Sequence, residues 1–367
     1  MTPFIAILVD TYRELASKRL FWLSMALSAL VVLSFALIGI NENGMSIVGW
    51  TLDIPFINSK VMDASDFYKL AFYALGVRFW LAWLACLLAL VASAGLFPEL
   101  VSSGTVETLL ARPVPRWRLY LFKFTGGLLF TALQVTVFCA ASFLVIGLRG
   151  GAWEPGLFLA VPMVTLLYSY LFSISAFIGT VTRSGIAALL LTVLAWGFLF
   201  TLNTSERLVN SFRIAKIEER SAIDRLMDTR RQKDANVDVS DLEQERVNAD
   251  EAIRPLTTAY RILYAVKTVL PKPDDTVALV QSWMTEAANL QDVASEDDDA
   301  EKPAGSTPRR RGRGNNFGTV RAKERDVLAA IEREQRSRGV GWMLGTSLAF
   351  EAAVLLVGCR IFARRDF

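Results

Sequence analysis

The chain has 367 residues, 53% of them hydrophobic and 20% charged, and its formal net charge is +3. This composition is more apolar than that of a typical soluble protein, and so small a net charge argues against a nucleic-acid partner. No histidine is present, so the commonest metal ligand and the commonest general base are both missing, which argues against a metal site or a histidine-dependent catalytic triad.

The first predicted element is a helix within residues 1–19. Its apolar residues recur at helical spacing, and its charged residues lie on other faces. Such a helix suits the cytoplasmic membrane interface, although a plain N-terminal extension of the first span fits the same pattern. No small-residue cleavage site is apparent, so we expect the first span to be retained. The apolar positions are Phe4, Ile7, Leu8, Tyr12, Leu15 and Ala16.

Six long apolar stretches predict membrane-spanning helices, because about 20 helical residues cross a hydrocarbon core of about 30 Å. Five of them carry no charge, and the sixth carries only Glu351. Strands of a membrane barrel would be about ten residues long with alternating polarity, so a barrel is excluded. We therefore predict an all-α polytopic membrane protein with six transmembrane helices. The stretches are 20–40, 79–98, 124–148, 155–182, 184–205 and 339–359.

Lys and Arg residues near the span ends are distributed unevenly between the two sides. By the positive-inside rule, the richer side is cytoplasmic, so both termini are expected in the cytoplasm of a multi-pass protein of the cytoplasmic (inner) membrane. The side of the membrane that holds the N-terminus carries eleven of these Lys and Arg residues: Arg13, Lys18, Arg19, Arg112, Arg116, Arg118, Lys123, Arg183, Arg360, Arg364 and Arg365. The short loops on the opposite side carry four: Lys60, Lys69, Arg78 and Arg149.

A charge-rich insert, residues 206–338, separates the fifth and sixth spans and is expected to be an extracytoplasmic helical insert. Its apolar spacing predicts two amphipathic helices, 206–231 and 241–269, followed by a shorter helix over about 275–290. Residues 295–318 have almost no apolar side chain and are expected to be disordered. A last amphipathic helix, 320–338, leads into span 6. The predicted divisions are 1–19, 20–205, 206–338 and 339–367.

The loop between spans 2 and 3, residues 99–116, has the most specific sequence in the chain. It is predicted to form a short helix with apolar residues on one side, a bend at Gly104 and a basic exit bounded by prolines. A segment of this kind suits docking into a groove of another protein.

This loop resembles the cytoplasmic coupling helix of ABC-2 type exporter permeases. That family shows an acidic residue, Gly-Thr, a Glu-x-Leu-Leu stretch and a Pro-x-x-Arg turn leading to a Lys, and its last span ends in an Arg-Arg-Asp cluster. The matching residues are Glu99, Gly104, Thr105, Glu107, Leu109, Leu110, Arg112, Pro113, Arg116 and Lys123, with Arg364, Arg365 and Asp366 at the C-terminus.

The resemblance covers the membrane-embedded two thirds of the chain and implies a permease subunit that exports a substrate. It also implies a separate ATPase subunit, since this chain has no Gly-x-x-x-x-Gly-Lys-Ser/Thr phosphate loop. ATP and Mg²⁺ would be bound there, and this chain would bind no cofactor and catalyse no reaction. In the family a second permease copy, identical or related, completes the pathway within the lipid membrane.

Four polar residues inside the predicted spans are candidates for the substrate pathway or for contacts between helices. Glu351 lies about 16 Å from the start of its span at 1.5 Å per residue, near the midplane. A charge there costs roughly 3 kcal/mol, so its side chain should face the bundle or be protonated. The alternative to a role in the pathway is a structural hydrogen bond. Gln134, Tyr168 and Tyr170 lie at a similar depth.

A second function from another class fits the same sequence. The large insert would bind a partner in the cell envelope, and the six spans would transmit ATP-driven movement to it without passing a substrate.

Overall fold

The computed structural model describes residues 3–41, 44–47, 50–52, 63–101, 115–151, 153–233, 238–287, 327, 330–331, 333–334 and 339–364. Within these ranges six helices are long and apolar enough to cross a membrane, and each overlaps one predicted stretch. The prediction of an all-α polytopic membrane protein is confirmed. Spans 1 to 6 are Arg19–Leu37, Ala64–Val101, Arg116–Gly150, Pro155–Thr182, Gly185–Lys233 and Val340–Arg364.

The N-terminal helix, Pro3–Ser17, is separate from span 1. The break falls at Lys18, whose extended backbone (φ −75°, ψ 131°) precedes the first residue of span 1. The helix packs along span 3, and its residues Ile7, Thr11 and Leu15 are buried there. The structure therefore has an independent helix at this point and not a simple extension of the first span.

Between spans 1 and 2 lies a small antiparallel sheet, an addition to the otherwise helical fold. Its three strands follow one another in order, with Ile38 paired to Ile47 and Met45 paired to Leu52. The strands are Ile38–Asn41, Gly44–Ile47 and Trp50–Leu52.

Span 2 changes its winding along its length. An α-helix, Ala64–Ala71, opens into a π-helical stretch, Phe72–Ala85, before α-helical winding returns at Cys86–Ser93. A turn at residues 94–95 separates this part from the short helix Leu96–Val101, which leads to the predicted coupling loop.

Spans 4 and 5 are joined by a tight turn. Arg183 adopts a left-handed backbone (φ 56°) and its N–H donates to the carbonyl of Gly179 at 3.0 Å. Gly185 then begins span 5 against the turn of span 2, because a Cβ at Gly185 would lie 3.3 Å from the Cα of Gly95. The predicted stretches 155–182 and 184–205 leave only residue 183 between them, and the structure places this connection beside the turn at residues 94–95 of span 2.

Two compact units divide the chain. The first comprises Met1–Trp196, Pro273–Ala300 and Leu348–Phe367, and the second comprises Gly197–Lys272 and Glu301–Ser347. The helix predicted over about 275–290, within the insert, is Pro273–Ala287 in the structure. It belongs to the first unit and packs on spans 2 and 4, with Thr276 fully buried.

The second unit contains a helical hairpin. Span 5 continues without a break to Lys233, and the second helix of the hairpin is Ser240–Val269. The two helices are antiparallel, because residues near the start of the first form ion pairs with residues near the end of the second, as in Glu206–Lys267, and the reverse holds for Arg230–Asp241. Ile223, Met227, Val239 and Leu242 form its small apolar core. The ion pairs between the helices are Glu206–Lys267, Arg220–Asp250, Asp224–Arg246, Arg230–Asp241 and Arg231–Glu243.

The segment predicted to be disordered, 295–318, lies outside the described residues, as does most of the helix predicted over 320–338.

Candidate functional site at the start of span 3

The predicted coupling loop is flanked by well-packed elements. Of its candidate residues, Glu99 lies in the helix that ends span 2, and Arg116 begins span 3. The two ends are therefore fixed by the structure. The other seven candidates, Gly104, Thr105, Glu107, Leu109, Leu110, Arg112 and Pro113, lie outside the described residues.

Glu99 forms an ion pair with Lys18, at the break between the N-terminal helix and span 1. Lys18 Nζ lies 3.3 Å from Glu99 Oε1. The space beside this pair is filled by the backbone of Gly95, since a Cβ there would come within 2.5 Å of Glu99 Oε1. The predicted coupling residue thus contacts the junction between the N-terminal helix and span 1.

Lys123 binds two carboxylates of the N-terminal helix. Its ammonium donates to Glu14 at 2.6 Å and to Asp10 at 3.3 Å, and only 3% of its side chain is exposed. Burial raises the pKa of the Glu14 carboxyl above its usual range; Lys123 opposes this and the nearby Glu99 adds to it. A buried cation with two carboxylates joins the N-terminal helix to span 3.

Lys123 belongs to the loop motif, but the motif does not identify the partners of its ammonium group. The signal was the spacing of Asp10 and Glu14, four residues apart, which places two carboxylates on one face of a helix. Nothing in the sequence pairs that face with span 3.

Tyr120 occupies the centre of the contacts at the start of span 3, and its side chain is fully buried. Its ring lies 4.7 Å from that of Phe97 in span 2 and 5.9 Å from that of Phe362 in span 6. A Cβ at Gly358 of span 6 would meet the Tyr120 hydroxyl at 2.5 Å. Spans 2, 3 and 6 therefore meet at this one side chain.

A series of aromatic rings continues from Tyr120 into the bundle. Phe97 lies 5.8 Å from Phe172 of span 4, and Phe172 stacks on Tyr168 at 5.1 Å. The Tyr168 hydroxyl donates to Ser93 of span 2 at 2.7 Å, so the series ends in a hydrogen bond between spans 2 and 4. Rings in such contact form a continuous packed route between the loop ends and the membrane interior.

A comparison with known protein families matches residues 6–227 to the model of the ABC-2 family transporter proteins. The match covers more than half of the chain and includes spans 1 to 5 with the whole predicted coupling loop. The chain belongs to the ABC-2 transporter family. No curated protein and no solved structure matches it.

Membership of the ABC-2 family defines the chain as a transporter permease and an integral membrane protein. Permeases of this family are membrane subunits without a nucleotide-binding domain of their own, and they generally work with a separate ABC ATPase subunit. The resemblance recognised in the sequence is thereby confirmed.

Three of the four intramembrane candidates of this ABC-2 permease form hydrogen bonds to different helices. Gln134 donates to Ser24 of span 1 at 2.7 Å, whereas Tyr168 binds span 2. Glu351 of span 6 accepts a hydrogen bond from Ser169 of span 4 at 2.9 Å, and Tyr170 is fully buried. Tyr168 and Ser169 are neighbours in span 4, and Glu351 of span 6 lies beside them through its bond to Ser169. Gln134 lies elsewhere, at the contact between spans 3 and 1.

Proposed function

We propose that this ABC-2 permease exports a substrate across the cytoplasmic membrane, driven by ATP that a separate ATPase subunit binds with Mg²⁺ and hydrolyses. The excess of Lys and Arg on the N-terminal side supports cytoplasmic termini and a cytoplasmic loop between spans 2 and 3. The residues proposed to couple to the ATPase are Glu99, Gly104, Thr105, Glu107, Leu109, Leu110, Arg112, Pro113 and Arg116.

The observation that carries this proposal is the set of contacts at both ends of that loop. Glu99, before it, binds Lys18 beside the N-terminal helix. Lys123 and Tyr120, after it, contact the N-terminal helix and spans 2 and 6. A rigid displacement of the loop must therefore displace these elements or break their contacts.

The proposed mechanism is a switch between inward-open and outward-open arrangements of the helices. ATP binding draws the partner ATPases together, and their movement shifts the loop and the helices packed on its ends. A second permease copy, identical or related, would supply the other wall of the pathway. This chain makes and breaks no covalent bond in the cycle.

The test is a double replacement in the loop, Glu107→Ala with Leu110→Ala, in the permease purified with its ATPase. We expect the complex to lose transport-coupled ATP hydrolysis while both subunits remain folded. Leu148→Ala, at a residue 77% exposed at the opposite end of span 3, is the matched control and should retain coupling. Full coupling in the loop variant would contradict the proposal.

A second candidate function, transmission of movement to an envelope partner, is favoured by the hairpin. Span 5 and the first hairpin helix are one uninterrupted helix, Gly185–Lys233, and ion pairs hold the second helix to it. A continuous helix can carry a displacement along its length. Deleting residues 216–256 separates the two functions, because export should survive the shortened hairpin whereas transmission should be abolished.

A further inference from the structure

The end of the hairpin nearest the apolar part of span 5 has an inverted polarity. This end, residues 203–212 and 262–269, is called the foot of the hairpin below. Inside it, Glu206 and Lys267 form an ion pair at 3.1 Å with 0% and 1% of their side chains exposed. Asn203 and Asn210 are buried on the same face of the span 5 helix.

The outer surface of the foot is largely apolar, and Arg207 is the one exposed charged residue in residues 203–212 and 262–269. Leu208 and Phe212 on the first helix are more than half exposed, and the second helix exposes three β-branched side chains at helical spacing. A helix in water buries such residues and exposes its charges, which is the reverse of this arrangement. The exposed fractions are 56% for Leu208, 57% for Phe212, 60% for Ile262, 42% for Val266 and 70% for Val269.

This surface continues the exposed face of span 5. Leu190, Leu194 and Phe198 are 63%, 69% and 57% exposed, and steps of three and four residues lead from them to Leu208 and Phe212 on the same side of the helix. The exposed side of span 5 therefore continues along the same helix into the foot, with the exposed Thr201 and Thr204 between the two groups of apolar residues.

Helix length places the foot at the edge of the bilayer. From Gly185 to Phe212 the helix is about 42 Å long at roughly 1.5 Å per residue. A bilayer measures about 40–45 Å with its headgroups. A span that begins at one membrane surface at Gly185 therefore reaches the opposite headgroup layer near Phe212. The ion pair between Glu206 and Lys267 sets the antiparallel register, which brings Ile262 and Val266 to the same level.

Aromatic rings mark this level independently. Tyr264 of the second hairpin helix stacks on Trp342, in the first turn of span 6, with ring centroids 5.1 Å apart and planes 2° apart. Tyr and Trp side chains are enriched at the boundary between lipid and water, because their apolar rings can lie in the lipid while their polar atoms reach the water. Lys272 Nζ lies 4.4 Å from the same Trp342 ring.

We propose that the foot of the hairpin is embedded in the interfacial layer of the bilayer, with its apolar surface against lipid acyl chains and its ion pair turned inward. The second hairpin helix thus re-enters the membrane at its C-terminal end, and Lys267 becomes an intramembrane charge held by Glu206. The occupant of the surface is lipid, because the surface lies on the same side of the helix as the exposed apolar residues of span 5, a helix long and apolar enough to cross a membrane. This inference does not depend on ATP coupling or on the cargo.

The test uses spin labels on single cysteines in the full-length permease, in lipid nanodiscs. The background is Cys359→Ser, since Cys86 and Cys139 are buried and Cys359 is the more exposed of the three. Labels replace Phe212, Ile262 or Val266 in the foot. Controls replace Leu226 or Val247, which are 43% and 49% exposed farther along the hairpin. Collisions with oxygen, which is enriched in lipid, are compared with collisions with a water-soluble nickel chelate.

We expect the oxygen-to-nickel accessibility ratio to be severalfold higher at the three foot positions than at the two controls. Equal ratios would overturn the proposal, since they would place the foot in water. Exclusion of both reagents from the foot would also overturn it, because a protein surface such as a second permease copy would then cover these residues. The labels replace side chains that are already exposed, and three independent positions guard against one that misfolds.

Discussion

Thr11 of the N-terminal helix lies directly against Gly126 of span 3, so closely that a Cβ at Gly126 would come within 2.8 Å of Thr11 Cγ2. The absence of a side chain at this one position lets the two helices approach. The same approach brings the carboxylates of Asp10 and Glu14 to Lys123. Close packing and ion pairing thus occur within one turn of span 3.

Replacing Gly126 with Ala should loosen this helix contact. The added methyl group has no room, and such overpacking typically costs about 1–3 kcal/mol. Gly197→Ala is the matched control, because nothing lies within 4 Å of its Cβ position and Ala favours helix by about 1 kcal/mol over Gly. Thermal unfolding in detergent should show a lower midpoint for Gly126→Ala and an unchanged or higher one for Gly197→Ala. Equal midpoints would contradict the packing.

Lys123→Ala should destabilise the protein more than any replacement of Lys18. Removing one partner of a buried ion pair costs about 3–5 kcal/mol, and the partly exposed carboxylates should reduce this toward the lower limit. Lys18 and Glu99 are more exposed, so Lys18→Ala should change stability by less than about 1 kcal/mol. Lys123→Arg should restore part of the loss. The unfolding midpoints of the three variants test this order of stability. An unchanged midpoint for Lys123→Ala would contradict it.

The raised pKa of Glu14 predicts a pH dependence of stability. The folded state holds this proton more tightly than the unfolded state, whose value is near 4.5. Its favourable contribution is therefore complete below pH 4.5 and is lost as pH rises through the folded-state value. Glu14→Gln removes the titrating group, while Lys123, Asp10 and Glu99 around it remain. The difference in unfolding midpoint between Glu14→Gln and the wild type should vary with pH above 4.5, and a constant difference would show that Glu14 does not titrate in this way.

The six spans were predictable because a bilayer demands a long apolar helix, which sequence shows directly. The resemblance of residues 99–116 to a coupling helix also depends only on local order. The π-helical winding of Phe72–Ala85 was not predictable, because this segment is apolar on nearly all sides and shows no change of period. Its geometry depends on neighbouring helices.

The contacts of the candidate site depend on distant parts of the chain. Lys123 is separated from Glu14 by 109 positions, and Ser169 from Glu351 by 182. No local pattern selects one partner from many polar residues. The foot was missed for a related reason: an average of hydropathy over a window records the charge of Lys267 but not the direction in which it points.

The ion pair in the foot should behave as a buried pair. Glu206→Gln or Lys267→Met alone leaves one buried charge without its opposite and should cost about 3–5 kcal/mol. The double replacement should cost much less than the sum, because no isolated charge remains. A double-mutant cycle on thermal unfolding measures this difference. Additive losses would show that the two charges do not stabilise each other.

Glu351 provides the last test, because the residue is only 8% exposed and its carboxylate accepts a hydrogen bond from Ser169 at 2.9 Å. Glu351→Gln keeps the size and an oxygen that can accept this bond but removes the ionisable carboxylate. If Glu351 takes part in the pathway or in a contact between permease copies, this variant should lower transport or assembly while its unfolding midpoint changes little.

Ser169→Ala is the complementary variant, since it removes the hydroxyl and leaves the carboxylate in place. It should lower stability by about 1 kcal/mol, the net value of a typical hydrogen bond. Transport assays and the size of the purified complex, measured beside the unfolding midpoint, separate the two roles. Unchanged transport and assembly in Glu351→Gln would restrict the residue to a structural hydrogen bond and exclude it from the pathway.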